Sequence, residues 1–139
     1  MPFLFDTDAV SELLRPKPAP GYVKWVRSVP REDQYLSAIS VGELYHGAFR
    51  SPARDRHLKN IEARILPAAT ILPFDQAVAK VFGRIRAELE AAGCRLEDAD
   101  LQIAATAVYH GLELVTGNVR HFARISELDV NRVLDDTRR

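Results

Sequence analysis

Short apolar stretches alternate with helical periodicities along this chain, and that alternation restricts the possible folds more than any other feature of the sequence. Residues 3–6, 35–38, 70–73 and 112–116 read as short strands, and 130–134 as a last, edge strand. Helices are expected over 8–14, 21–28, 40–49, 54–66, 75–92 and 98–110. The clearest is 75–92, where Val78, Val81, Phe82, Ile85 and Leu89 recur at helical spacing and Gly93 marks the end. In 98–110, Leu101, Ala104, Ala105 and Val108 should face inward, with Gly111 as the stop. The run Arg15 to Gly21 carries Pro16, Pro18 and Pro20 and is expected to be a loop, because prolines so close together cannot sit inside a helix or a central strand. Strands alternating with helices imply an α/β fold with a mainly parallel sheet and right-handed crossovers, organised as a single domain over 1–139. In such sheets ligands bind in the crevice outside the carboxyl ends of the strands.

Composition narrows the classes further. The 139 residues, 47% hydrophobic and 27% charged, suffice for a buried core without disulfide or metal staples. No apolar run approaches a membrane span, and the opening Met1-Pro2-Phe3-Leu4-Phe5-Asp6 is not expected to be a signal peptide. The single cysteine, Cys94, has no internal partner and fits a reducing compartment, so a cytoplasmic location is expected. Net charge is zero, so composition does not announce a nucleic-acid binder. Of the 19 basic residues, 15 are Arg and four are Lys. Arginine grips phosphate through a planar fork of donors, although a GC-rich or thermophilic source gives the same bias.

The informative residues are acids at the expected strand ends. Asp6 closes the first strand. Glu43 lies in the first turn of the helix after the second strand. Asp98 and Asp100 open the helix over 98–110, and Thr116 and Asn118 follow the strand before them. Carboxylates gathered this closely resist ionising together, and a divalent cation reverses that effect. Oxygen-only donors suit Mg²⁺ or Mn²⁺ rather than zinc, and the four histidines lack zinc-site spacing. Ions about 4 Å apart in such a cluster activate water and stabilise the leaving oxygen of an in-line attack on a phosphodiester. Each acid also has a structural reading. Ser40 and Glu43 match a capping box. Asp98 is a good N-cap, and Asp100 suits the helix dipole. Asp6 is the exception, because Thr7 or Asp8 can cap the next helix in its place. Glu12 is expected to be a solvated residue of the first helix.

Four segments, taken in order, carry a family resemblance. Leu4-Phe5-Asp6-Thr7-Asp8-Ala9-Val10-Ser11-Glu12-Leu13 resembles the first motif of PIN-domain toxins of the VapC type. Ile39-Ser40-Val41-Gly42-Glu43-Leu44 resembles the second. The run from Asp100 to Ala107, then His110 to Phe122, resembles the third and fourth. The resemblance implies a PIN-like three-layer α/β/α sandwich and a ribonuclease dependent on Mg²⁺ or Mn²⁺. It further implies a homodimer held inactive by a cognate antitoxin protein, as the toxin of a type II toxin–antitoxin pair. It places the metal-binding and catalytic acids on Asp6, Glu43 and Asp100. Asp98 becomes an additional acid beside Asp100, and Thr116 and Asn118 become supporting groups. Asp100 opens a helix that runs into a strand, so its place on the shared edge rests on the resemblance. The fourth motif departs from many members, which carry an Asp at the place of Asn118 or His121, and this leaves one or two ions open.

RNA must also be held. Arg54, Arg56, Lys59 and Arg64 share one expected helix, Arg84 and Arg86 another, and Arg120 and Arg124 flank the fourth motif. Arg120 is the foremost candidate for a phosphate contact, against the alternative that it pairs with Asp98 or Asp100. Two other readings remain. The opening Asp6-Thr7-Asp8 also resembles haloacid-dehalogenase-like phosphatases, with Asp6 as nucleophile and Asp8 as general acid, though no Lys follows Lys80 where that family needs one. A catalytically inactive PIN-fold binding module is the third.

Overall fold

A computed structural model describes residues 2–138; Met1 and Arg139 lie outside the described residues. The chain order is β1 (Phe3–Phe5), α1 (Thr7–Leu14), α2 (Pro20–Ser28), β2 (Gln34–Ser37), α3 (Ala38–Phe49), α4 (Arg54–Asn60), β3 (Thr70–Leu72), α5 (Gln76–Ala91), α6 (Asp98–His110), β4 (Glu113–Val115), α7 (Val119–Phe122), β5 (Val130–Asn131) and α8 (Val133–Thr137). The strands form one sheet of order β3-β2-β1-β4-β5, and all four pairings are parallel. Phe3, Leu4 and Phe5 of β1 pair with Gln34, Tyr35 and Leu36 on one side and with Glu113, Leu114 and Val115 on the other.

Strand alternation sends successive side chains to opposite faces. Leu4, Tyr35 and Leu114 enter a core that holds Ile85, Leu89, Leu101, Ala104 and Phe122, under α5, α6 and α7. Phe5, Leu36 and Val115 enter a second core with Val10, Tyr22, Leu44, Ile61 and Leu134, under α1 to α4 and α8. A central sheet buried on both faces explains why these strands are nearly continuous apolar runs. The result is the three-layer α/β/α sandwich expected from the sequence, with a wholly parallel sheet among the described residues.

Several elements differ in detail from the sequence-based expectation. Pro20, expected in the loop, is the first residue of α2, where its missing N–H costs nothing. The segment after Asn60 widens into a π-turn, Ile61–Ile65, and ends in the 3₁₀ turn Leu66–Ala68 closed by Pro67. The last strand is only Val130–Asn131, because the Asn131 side chain accepts the Val133 N–H at 2.9 Å and turns the chain into α8. α8 packs against α2 and buries Leu134 beside Tyr22. The Tyr22 hydroxyl in turn donates to the Ala9 carbonyl at 2.8 Å, tying α2 to α1. Among the described residues, no helix is long and apolar enough to cross a membrane.

Gly111 ends α6 in the left-handed region, at φ 66°. The next residue, Leu112, donates its N–H back to Ala107 O at 2.9 Å. This reversal sends α6 antiparallel to β4 and stands the first turn of α6 over the carboxyl edge of the sheet. An added Cβ at Gly111 would meet nothing within 4 Å, so the cost of Gly111→Ala is conformational only. A loss of about 1 kcal/mol in unfolding free energy is expected by denaturant titration. A loss near zero would contradict the left-handed cap.

A candidate active site at the carboxyl edge of the sheet

Strand β1 lies between β2, which continues toward β3, and β4, which continues toward β5. The sheet therefore reverses its direction of growth between β1 and β4, and the crevice opens beyond those two strand ends. Asp6 follows β1 and Thr116 follows β4, so topology alone brings them together.

Asp6 sits in extended conformation and is itself the N-cap of α1; Oδ1 accepts the Ala9 N–H at 2.7 Å. The helix begins one residue earlier than expected, which leaves no room for Thr7 or Asp8 to act as cap. Asp6 is buried, with 4% of its surface exposed. Burial pushes its carboxyl up to about 7, opposed by hydrogen bonds from Thr116 and Ala9 and reinforced by repulsion from Asp8 and Asp100. Its hydrogen-bond partners are neutral, so a negative charge here is desolvated without a bonded cation.

Asp100 is the third residue of α6 and is half-buried. Burial raises its carboxyl as well; His121 acts in the opposite direction, and Glu43 and Glu97 add repulsion. The His121 Nε2 lies 4.0 Å from Asp100 Oδ2. The fourth motif thus sets a histidine against the acid of the third.

Glu43 loses its capping explanation. Ser37, and not Ser40, caps α3, accepting the Ile39 N–H at 3.0 Å. Ser40 is buried within the helix. Glu43 instead accepts a hydrogen bond from the Thr7 hydroxyl at 2.5 Å, and that hydroxyl lies 3.1 Å from the Ser40 hydroxyl. Thr7 faces the cleft, so it links Glu43 to the site.

The cleft has a volume of about 390 Å³. Asp6, Asp8 and Asp100 line it with Thr7, Gly117, Asn118 and Arg138. A larger groove of about 490 Å³ beside α1, α2 and β2 is mostly apolar, with Arg27, Arg31 and Arg64 among its lining residues, and carries no carboxylate, so the acid chemistry belongs to the smaller cleft. As placed, no three His, Cys, Asp or Glu side chains among the described residues converge closely enough to enclose one ion. The donor chemistry nevertheless fits a hard divalent cation: Asp6, Glu43 and Asp100 offer only oxygen, and the raised carboxyls of Asp6 and Asp100 are what a bound cation would lower.

The remaining sequence candidates are distributed as follows. Thr116 is fully buried; its hydroxyl supports Asp6 and accepts the Asn118 N–H at 2.9 Å. Asn118 precedes α7 at the cleft lip. Asp98 is turned away from the cleft and pairs with Arg86. Arg120 is exposed on α7. Of the other basic candidates, Arg84 pairs with Glu88 and Glu127, Arg54 donates to Phe49 O, and Arg124 donates to Arg95 O.

Glu12 corrects the expectation of a solvated helix residue. It is 2% exposed and accepts from Ala19 N, Arg15 and Arg138. Burial alone would raise its carboxyl, but the Ala19 amide and the Arg138 and Arg15 guanidiniums outweigh that and hold it below the usual range. Arg138 also forks onto Asp8 with two bonds of 2.9 Å. Nothing local marks Arg138, which lies 126 residues from Glu12. The nearest signal is the i,i+4 spacing of Asp8 and Glu12, which puts two acids on one helix face.

A parallel α/β sandwich with an acidic crevice at the switch point defines a class of proteins, and comparison with known sequences assigns the family. The model described as "PIN domain" matches residues 3–128. The chain belongs to the PIN-domain family. It is 40% identical over 124 residues to Toxin FitB of Neisseria gonorrhoeae, covering 86% of this chain and 89% of that protein. It is 34% identical over 124 residues to the VapC ribonuclease Y4jK of Sinorhizobium fredii, with the same coverage. The crystal structure of DNA-bound VapBC from Salmonella typhimurium superposes with a TM-score of 0.88 and 30% identity, covering 94% of this chain and 97% of that one.

Proposed function

We propose that this chain is a divalent-metal-dependent ribonuclease, the toxin of a toxin–antitoxin pair, acting as a single PIN-like domain over 1–139 in the cytoplasm. The observation that carries this reading is Asp6: a buried carboxylate at the switch point, raised to about 7 and facing Asp100 with no bonded cation. The similarity to a VapC ribonuclease and to a FitB toxin supports RNA as substrate and an antitoxin as partner. The homodimer follows from the VapC resemblance.

Asp6, Glu43 and Asp100 would hold Mg²⁺ or Mn²⁺. When bound, such an ion supplies an activated water and charge neutralisation for in-line attack on a phosphodiester. The chain's own groups set the geometry. Thr116 and the Ala9 amide fix the Asp6 carboxylate, and Thr7 fixes Glu43. His121 stands 4.0 Å from Asp100, Asn118 offers an amide at the lip, and Arg120 on α7 takes an RNA phosphate outside the cleft. Asp98, paired with Arg86 outside the cleft, supports the site only through the first turn of α6 that carries Asp100.

The phosphatase reading needs Asp8 as a general acid. Arg138 donates to both Asp8 carboxylate oxygens, so neither is free to pass a proton to a leaving group, which disfavours the role. Incubation of the purified protein with structured RNAs tests the proposal. Oligonucleotide products that vanish with EDTA and return with excess Mn²⁺ are expected. Release of phosphate from a monoester, or no cleavage of any RNA under these conditions, would overturn it.

A further inference from the structure

An anion must enter a cleft that its own acids make repulsive. Among the described residues lining it, Arg138 is the one basic side chain. Its guanidinium is fixed with unusual completeness for a group 31% exposed. Nε donates to Glu12 Oε1 at 3.1 Å, and Nη2 donates to Glu12 Oε1 and Asp8 Oδ1, each at 2.9 Å. Nη1 donates to Asp8 Oδ2 at 2.9 Å. A guanidinium has five N–H donors. Four are used here, and the fifth is on Nη1.

Nη1 rests on Gly117, at the floor of the cleft. A Cβ at Gly117 would collide with Nη1 and stand 2.5 Å from Asp8 Oδ2, so the Asp8–Arg138 pair reaches the cleft only because residue 117 has no side chain. The buried Glu12 anchors the group from behind. The cation is thus held in the cleft that Asp6 and Asp100 also line, with one donor left over.

We infer that Arg138 is a substrate-positioning residue, whose remaining Nη1 N–H binds a phosphate of the RNA lying in the cleft. The inference rests on the nuclease reading for its substrate. It requires Asp8 to serve as the seat of Arg138 and not as an ion ligand. It also explains two residues the metal site does not use, Glu12 and Gly117. A charge-assisted bond to phosphate of this kind is worth about tenfold in affinity.

Two measurements test it together. In steady-state cleavage, Arg138→Ala is expected to raise KM about tenfold with kcat within about threefold, and Arg138→Lys to restore most of the KM. Gly117→Ala, which alters no charge, is expected to raise KM similarly by displacing the guanidinium. In the Asp6→Asn background, fluorescence anisotropy with a short single-stranded RNA reads binding without turnover. Adding Arg138→Ala there is expected to weaken binding about tenfold and to reduce the salt slope by about 1. A merely structural role for Arg138 would leave that slope unchanged. Unchanged KM, or unchanged affinity and salt slope, would overturn the inference even if RNA cleavage is robust. Retained cleavage by Asp6→Asn would instead count against the metal site, while the KM comparison still decides the role of Arg138.

Discussion

Asp6→Asn is expected to lower RNA cleavage by more than about 100-fold and, at the same time, to raise the melting temperature of the metal-free protein at pH 8. The first effect follows from scale. Changing a group that only orients a metal ligand costs about 10–100-fold, so removing a ligand's charge costs more. The second effect follows from burial. The folded state raises the Asp6 carboxyl from 3.8 to about 7, so above that pH the native protein holds a desolvated charge that the unfolded chain does not. Asparagine keeps an oxygen for the Ala9 N–H and removes the charge. The expected gain is on the order of 2–4 kcal/mol.

Between pH 3.8 and about 7 the native state binds the Asp6 proton more tightly than the unfolded state does. The Asp6 contribution to stability therefore rises as pH falls through that window and is absent in Asp6→Asn. Calorimetry of both proteins from pH 4.5 to 8.5 in EDTA reads the difference directly. Equal pH profiles, or a lower melting temperature for the variant at pH 8, would contradict the buried, cation-free setting of Asp6.

The second large effect concerns Glu12. This residue is buried beneath Arg15 and Arg138 and receives the Ala19 amide. Glu12→Ala removes one of the two counter-charges of a part-buried guanidinium, orphans the Ala19 amide and leaves Arg138 tied to α1 by Asp8 alone. Losing these charge-assisted bonds and orphaning the Ala19 amide costs about 2–4 kcal/mol, and for a chain of this length the melting temperature is expected to drop by roughly 6–12 °C. The folded-state carboxyl lies below its unfolded value of 4.5, so the stabilisation is complete above that pH and is lost as pH falls through the folded pKa. The two acids of α1 and its cap thus give opposite pH slopes, one from burial without a cation and one from burial with two. A loss under about 1 kcal/mol at pH 7 would show that Glu12 is not the anchor described.

These two residues also show how far the sequence could be read. Asp6 was legible because an acid directly after Phe3-Leu4-Phe5 must stand at a strand end, and the topology of parallel sheets says what happens there. Thr116 was legible for the same reason after β4. Asp100 needed more: only the reversal at Gly111 puts the first turn of α6 on that edge, a link visible once α6 is seen to run antiparallel to β4. In the sequence Glu43 is open to a local explanation as a capping partner of Ser40, and the structure removes it by starting α3 at Ala38. The burial of Glu12 is not legible, because helical position alone does not show what covers a face, and its cover comes from Arg138 and the Pro-rich loop. The pairing of His121 with Asp100 and the fit of Arg138 over Gly117 are likewise contacts between distant segments, which no local pattern announces.

Asp6, Glu43 and Asp100 are proposed to share a hard cation, although among the described residues no three such side chains form a ready cage. Isothermal titration of Mn²⁺ into the wild type and into Asp6→Asn, Glu43→Gln and Asp100→Asn tests it most directly. Saturable binding by the wild type and a loss of at least about tenfold in affinity in each variant is the expected result. Wild-type affinity in any of the three would remove that residue from the site, and wild-type affinity in all three would contradict the claim outright.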